Sequence, residues 1–171
     1  KGNTIPHTPE EKKEALTRAM NNWIEGMMKA TGGYVTTWDV VNEAISGGGN
    51  DGEGFYVLQS ASNAGADAAN NFYWQDYLGS EDYVRIVVAA ARKYYAENGG
   101  VKPLKLFIND YNLESTWDNN QKAKSLVHWI EKWESDGVTK IDGIGTQMHV
   151  AYRANAADQQ NHKEVILYKI D

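Results

Sequence analysis

Three short stretches carry side chains that could do chemistry: Asn42-Glu43, Asn109-Asp110-Tyr111-Asn112, and Gln147 with His149. A carboxyl grouped with amides and an imidazole suits proton transfer and hydrogen bonding to a polar substrate. Glu43 is the leading candidate acid. It ends a β-like run rising from Gly32-Gly33 and opens the glycine-rich stretch "AISGGGNDGEG". A carboxylate on a strand end is held more firmly than one on a loop tip.

The elements that must position these residues are legible in the periodicity. Thr8-Pro9-Glu10-Glu11 reads as an N-cap, a first-position proline and a capping box. Leu16, Met20, Trp23, Ile24 and Met27 follow at helical spacing, and Gly32-Gly33 ends the helix. Tyr34 to Val41 is predicted as a strand. A second helix is predicted from an N-cap at Ser80, with Val84, Val87, Val88, Ala91 and Tyr95 inward and Asn98-Gly99-Gly100 as its stop. Leu104 to Asn109 is the second strand. A helix over Asn120 to Ser135 follows, with Ala123, Leu126, Val127, Ile130 and Trp133 inward. Ile141 to Val150 is the third strand, and a last helix starts near Ala156.

Strands alternating with helices in this way imply parallel pairing through right-handed crossovers, so the fold class is α/β. In a parallel sheet the carboxyl ends of all strands lie on one side. The three polar stretches therefore converge on one rim, where ligand sites of barrels and open α/β sheets sit. Residues 46–79 break the rhythm, being rich in Gly, Asn, Ala and Ser without a clean period, and read as a long strand-to-helix loop beside the site.

The 171 residues suit one domain, with 23 acidic against 17 basic side chains and a net charge of −6. That balance argues against a nucleic-acid or phosphate surface, and the short clusters Glu10 to Lys13 and Lys122 to Lys124 read as solvated helix faces. With no cysteine, disulfides and thiolate chemistry are excluded. No apolar run reaches membrane-spanning length. The opening Lys1-Gly2-Asn3, without Met or signal peptide, suits a processed or excised chain.

Two decoys are set aside. Gly47 to Gly52 satisfies G-x-G-x-x-G, but no helical period follows it and Asp51 and Glu53 stand where a phosphate would lie. Asn50, Asp51 and Glu53 lack the oxygen-ligand spacing of a calcium loop and read as a solvated turn. The four histidines are scattered, so neither metal nor cofactor is expected, and His128 reads as a helix-surface or packing residue.

Taken in order, "WDVVNEAI", "LFINDYN" and "GIGTQMHV" resemble the ends of the fourth, fifth and sixth strands of glycoside hydrolase family 10, and "YWQDYLGSEDYV" resembles the stretch that follows the fourth. The resemblance implies a portion of a (β/α)8 barrel from a retaining endo-β-1,4-xylanase. It assigns Glu43 as general acid/base and Asn42 as a hydrogen-bonding partner of the sugar 2-hydroxyl. Gln147 and His149 border the acid/base and the nucleophile respectively, and Tyr111 and Asn112 line the aglycone side. Asn109 and Asp110 take structural roles.

Retaining hydrolysis needs two carboxyls about 5–5.5 Å apart. The family's nucleophile is a Glu at the end of the seventh strand, which this sequence does not reach, and Glu164 lies within a helix. A whole barrel takes about 250 residues. The expectation is therefore a partial barrel, inactive alone, that binds xylan or xylo-oligosaccharide. Its open edges would pair with the remaining barrel segments or with another copy of the chain. A xylan substrate implies a secreted or periplasmic location. The alternative is a non-catalytic xylan-binding fragment using Tyr111, Asn112 and Trp74.

Overall fold

The computed structural model describes residues 6–115 and 117–170, with side-chain burial up to Glu164. The first helix, α1 (Pro9–Thr31), begins as the sequence predicts. The Thr8 hydroxyl accepts the Glu11 N–H, and the Glu11 carboxylate accepts the Thr8 N–H. Gly32 closes it in the left-handed conformation, at φ 54°. Strand β1 covers Thr37–Asn42, β2 Lys105–Asp110 and β3 Gly143–Thr146. Both pairings are parallel and the order is β1-β2-β3, the sequential neighbours expected of a barrel segment. The third strand is shorter than predicted, because the chain turns away after Thr146 and Met148 takes a left-handed φ of 48°.

The connections are helical. A 3-10 turn at Gly65–Ala69 and a short helix α2 (Trp74–Leu78) lie within the region predicted as loop. Helices α3 (Asp82–Glu97), α4 (Gln121–Glu134) and α5 (Ala156–Ile170) follow. Ser80 is not the N-cap of α3: Glu81 holds that place without a side-chain bond, and the Ser80 carbonyl instead accepts the Trp133 indole N–H at 2.9 Å. The predicted inward stripe of α3 is buried throughout.

The outer face of the sheet is the core. Leu106 and Ile108 of β2 are fully buried beside Val84, Val88, Leu126 and Trp133 from the covering helices. The opposite face carries Phe107 and Asn109, which lie across Gly143 and Gly145. A Cβ at Gly143 would fall 2.5 Å from the Phe107 ring, and one at Gly145 would fall 2.8 Å from the Asn109 amide oxygen. These glycines make room for large side chains on the concave face.

Three predicted packing roles are corrected. In α1 the buried residues are Met20, Ile24 and Met28, whereas Trp23 is 72% exposed and Met27 lies at the surface. That helix packs on α3 and α2, so its buried stripe is turned from β1 and Trp23 and Met27 face an open groove. In α4, Val127 is exposed and Trp129 takes its place inside. Lys122, expected on a solvated face, is buried against Asp110. Among the described residues, no helix is long and apolar enough to cross a membrane.

Candidate active site

Glu43 follows β1 directly, and its backbone is in the left-handed region at φ 56°. A non-glycine residue there costs free energy and persists only where its surroundings over-determine it. The Glu43 N–H donates to the Asn109 carbonyl at 2.8 Å, extending the parallel ladder by one rung. Two residues on, the Ile45 N–H donates to the Asp110 carboxylate at 3.0 Å. The kink between these anchors turns the Glu43 side chain across the strand ends.

There it meets the third strand end. The Gln147 side-chain amide donates to the Glu43 carboxylate at 2.7 Å, and the Gln147 amide oxygen is 2.8 Å from His149 Nε2. The Asn109 amide donates to the Asn42 side-chain oxygen at 2.7 Å, which leaves the Asn42 NH₂ free of that bond and available to an incoming acceptor. Asn42, Glu43, Asn109, Gln147 and His149 thus form one polar cluster drawn from three strand ends. Glu43 and Gln147 are half-buried, while Asn42 and His149 are exposed.

Tyr111 and Asn112 leave β2 on a different course. The Tyr111 ring lies beneath the Lys122 ammonium, 3.3 Å from the ring centroid, and Asn112 turns the chain at φ 59°. Lys122 in turn pairs with Asp110 at 2.8 Å, and both side chains are buried. Beside Glu43 a groove of about 750 Å³ opens between α1, β1 and residues 71–75; Asn42, Gln59, Trp74 and Trp23 share its lining. Trp74 thus lies on the same hollow as the carboxyl.

The glycine-rich stretch has a structural task that its composition concealed. Asp51 is not in a solvated turn: its carboxylate is buried and accepts N–H groups from Glu53 and Phe55. It also faces His128 at 2.9 Å and Lys132 at 3.4 Å on α4, while the Phe55 and His128 rings stack at 3.9 Å. Asp51, Glu53 and His128 could offer ligand atoms within 4.8 Å of one another, but the Lys132 ammonium already sits on both carboxylates, 2.6 Å from Glu53. The cluster is an ion-paired pin that fastens the loop to α4.

Burial of Asp51 opposes its ionisation, yet the two N–H groups, His128 and Lys132 outweigh that and hold its carboxyl far below the ordinary aspartate range. A folded pKa below the unfolded one adds stability that is complete above the unfolded value of about 3.9 and is lost as pH falls through the folded value. Asp51→Asn is therefore expected to lower the melting midpoint at pH 7 by several degrees. The gap to the parent chain narrows on acidification towards pH 3. Thermal melts across that range check it, and an offset that does not change with pH would contradict it.

Gln59 went unnoticed in the sequence. Its side-chain amide donates to the Glu43 carbonyl at 2.6 Å, and its backbone N–H donates to the Ala44 carbonyl at 2.8 Å. Nothing in a segment without periodicity marks one glutamine above its neighbours. Its contact becomes visible only once the loop is seen to fold back.

Comparison with known proteins shows the family and the fold. The profile of glycosyl hydrolase family 10 matches residues 3–168. An endo-1,4-beta-xylanase A of Halalkalibacterium halodurans is 32% identical over 147 residues, which is 86% of this chain and 30% of that protein. The solved endo-1,4-beta-xylanase of Caldicellulosiruptor owensensis superposes with a TM-score of 0.57 at 26% identity, covering 98% of this chain and 41% of its own. A variant of xylanase A from P fluorescens subsp. cellulosa, solved with xylopentaose, gives a TM-score of 0.56 at 25% identity, covering 90% and 40% respectively. The chain spans less than half the length of each of these relatives. With the profile matched over residues 3–168 and the parallel order β1-β2-β3, the chain belongs to glycosyl hydrolase family 10 and folds as a portion of that family's (β/α)8 barrel.

Proposed function

We propose that this chain is the acid/base-bearing portion of a retaining endo-1,4-β-xylanase. The observation that carries this reading is the Glu43 carboxylate, half-buried at the junction of three strand ends and bonded to Gln147 at 2.7 Å. In the first step Glu43 gives its proton to the glycosidic oxygen as the bond to the anomeric carbon breaks. A second carboxylate, supplied from outside this chain, attacks that carbon and forms a glycosyl-enzyme ester. In the second step Glu43 takes a proton from water, the water oxygen bonds to the anomeric carbon, and the ester carboxylate departs.

Supporting residues have distinct tasks in this reading. Asn42 bonds the sugar 2-hydroxyl as positive charge develops, a contact that strengthens in the transition state. Gln147 fixes the Glu43 carboxyl while its amide oxygen accepts the Nε2–H of His149, which borders the nucleophile. Tyr111 and Asn112 line the aglycone side. The relatives' names as endo-1,4-beta-xylanases, and the xylopentaose held by one of them, support xylan or xylo-oligosaccharide as the substrate. That substrate is met outside the cytoplasm, so the protein works in a secreted or periplasmic setting. The remaining barrel segments, or another copy of the chain, complete the cleft.

The test is the stereochemistry of hydrolysis by the protein that its gene encodes, followed by NMR of fresh product. The β-anomer is expected first, and the α-anomer appears only through mutarotation; α-anomer as the initial product would overturn the retaining mechanism. Alone, the chain is expected to release no sugar from xylan. A second reading, xylan binding without hydrolysis, draws on Trp74 lining the groove beside Glu43. Binding by the isolated chain that Trp74→Ala abolishes would favour it.

A further inference from the structure

We propose that Gln59 is a positioning residue for Glu43, gripping the backbone on which the carboxyl is mounted; this rests on the acid/base reading above. The problem it solves is conformational. Glu43 stands at φ 56°, a strained conformation for an L-residue that persists only where its neighbours over-determine it. Anchors on β2 hold the segment from one side, through the Asn109 carbonyl and the Asp110 carboxylate. Those bonds engage the N–H groups of Glu43 and Ile45. They leave the carbonyls of Glu43 and Ala44 to be satisfied from the other side.

Gln59 takes both carbonyls. Its side-chain amide donates to Glu43 at 2.6 Å and its backbone N–H donates to Ala44 at 2.8 Å. The grip is firm because the arm that carries Gln59 is itself fixed. Leu58 forms an antiparallel bridge with Ile45, and the Ser46 N–H donates to the Val57 carbonyl at 3.0 Å. One residue earlier, the Tyr56 N–H donates to the Ser125 hydroxyl at 2.9 Å and the Tyr56 carbonyl accepts the Trp129 indole N–H at 2.9 Å. The long loop therefore runs out, is pinned to α4, and returns as a short ribbon against residues 44–46. Its return delivers a single donor to the carbonyl of the candidate catalytic residue.

A general acid tolerates little displacement, since a misplacement of about 1 Å can cost about 10²-fold in rate. Without the Gln59 donor, the Glu43 peptide is free to relax from its left-handed conformation, and the carboxyl swings from Gln147.

NMR of the chain itself tests this without needing activity. In the parent chain, Glu43 is expected to give the strong intraresidue Hα–HN cross-peak of a left-handed residue, and the Gln147 side-chain amide a hydrogen-bonded resonance that Glu43→Ala abolishes. Gln59→Ala is expected to weaken the cross-peak and return the Gln147 amide to its free position, with the melting midpoint within a few degrees of the parent. Gln59→Glu, equal in length but without the donor, is expected to do the same, which separates donation from packing. Unchanged Glu43 and Gln147 signals in both variants would overturn the proposal, whatever a hydrolysis assay reads. Loss of these signals alongside full xylan hydrolysis by Glu43→Ala would instead uphold the positioning and reject Glu43 as the acid.

Discussion

Glu43→Ala is expected to lower xylan hydrolysis by the encoded protein about 10²–10⁴-fold, the usual contribution of a positioned general acid/base. The expectation follows from the leaving group. A xylose hydroxyl departs poorly as an alkoxide, so its oxygen must be protonated as the bond breaks, and water must be deprotonated in the return step. Glu43→Gln should lose nearly as much. Its amide has the same size and can still accept the Gln147 hydrogen bond, but it holds no proton of the right acidity. The pair separates geometry from proton transfer: if the glutamine variant keeps most of the activity, Glu43 serves by shape alone. Initial rates on soluble xylan at fixed pH measure both.

Lys122→Met should cost stability on a comparable scale. Lys122 and Asp110 form an ion pair at 2.8 Å with both side chains buried. Breaking a buried pair from one side costs about 3–5 kcal/mol, because the remaining charge is stranded in a poor solvent. For a chain of this length, that corresponds to a fall in melting midpoint of roughly 10 °C. The stranded group would be the Asp110 carboxylate, which also accepts the N–H groups of Ile45 and Tyr111. The disturbance therefore reaches the Glu43 segment as well as the Tyr111 ring that the ammonium covers. Adding Asp110→Asn to Lys122→Met should recover part of the loss, since the neutral amide no longer needs a counter-ion. Chemical denaturation of the two variants measures the difference; a double variant no more stable than the single one would contradict this account.

What the sequence made legible was the part of the fold governed by repetition. Alternating strands and helices announced a parallel sheet, and the polar residues closing each run announced a common rim. Asn42, Glu43, Asn109, Gln147 and His149 do meet there. Capping of α1 was readable because Thr8, Pro9 and Glu11 act within one turn. Trp23 and Met27 misled because helical spacing marks an apolar face without saying which neighbour covers it. Here α1 leans on α3 and leaves that edge against the groove. Lys122 misled in the opposite direction. Its type argues for solvent, and only the distant Asp110 gives it a reason to be inside. Asp51 and Gln59 were opaque for the same cause: their partners lie 77 and 16 residues away, and no local period links them.

Proton donation from Glu43 to the departing sugar is the step on which the proposed function rests. The most direct measurement compares the Glu43→Ala variant with the parent protein on two substrates, xylan and a nitrophenyl xylobioside. Nitrophenolate leaves without protonation, so its first-step release, read as the pre-steady-state burst before the glycosyl-enzyme is hydrolysed, should slow less than about tenfold, while first-step cleavage of xylan falls about 10²–10⁴-fold. Equal losses on both substrates would contradict the account and assign Glu43 to some task other than proton donation.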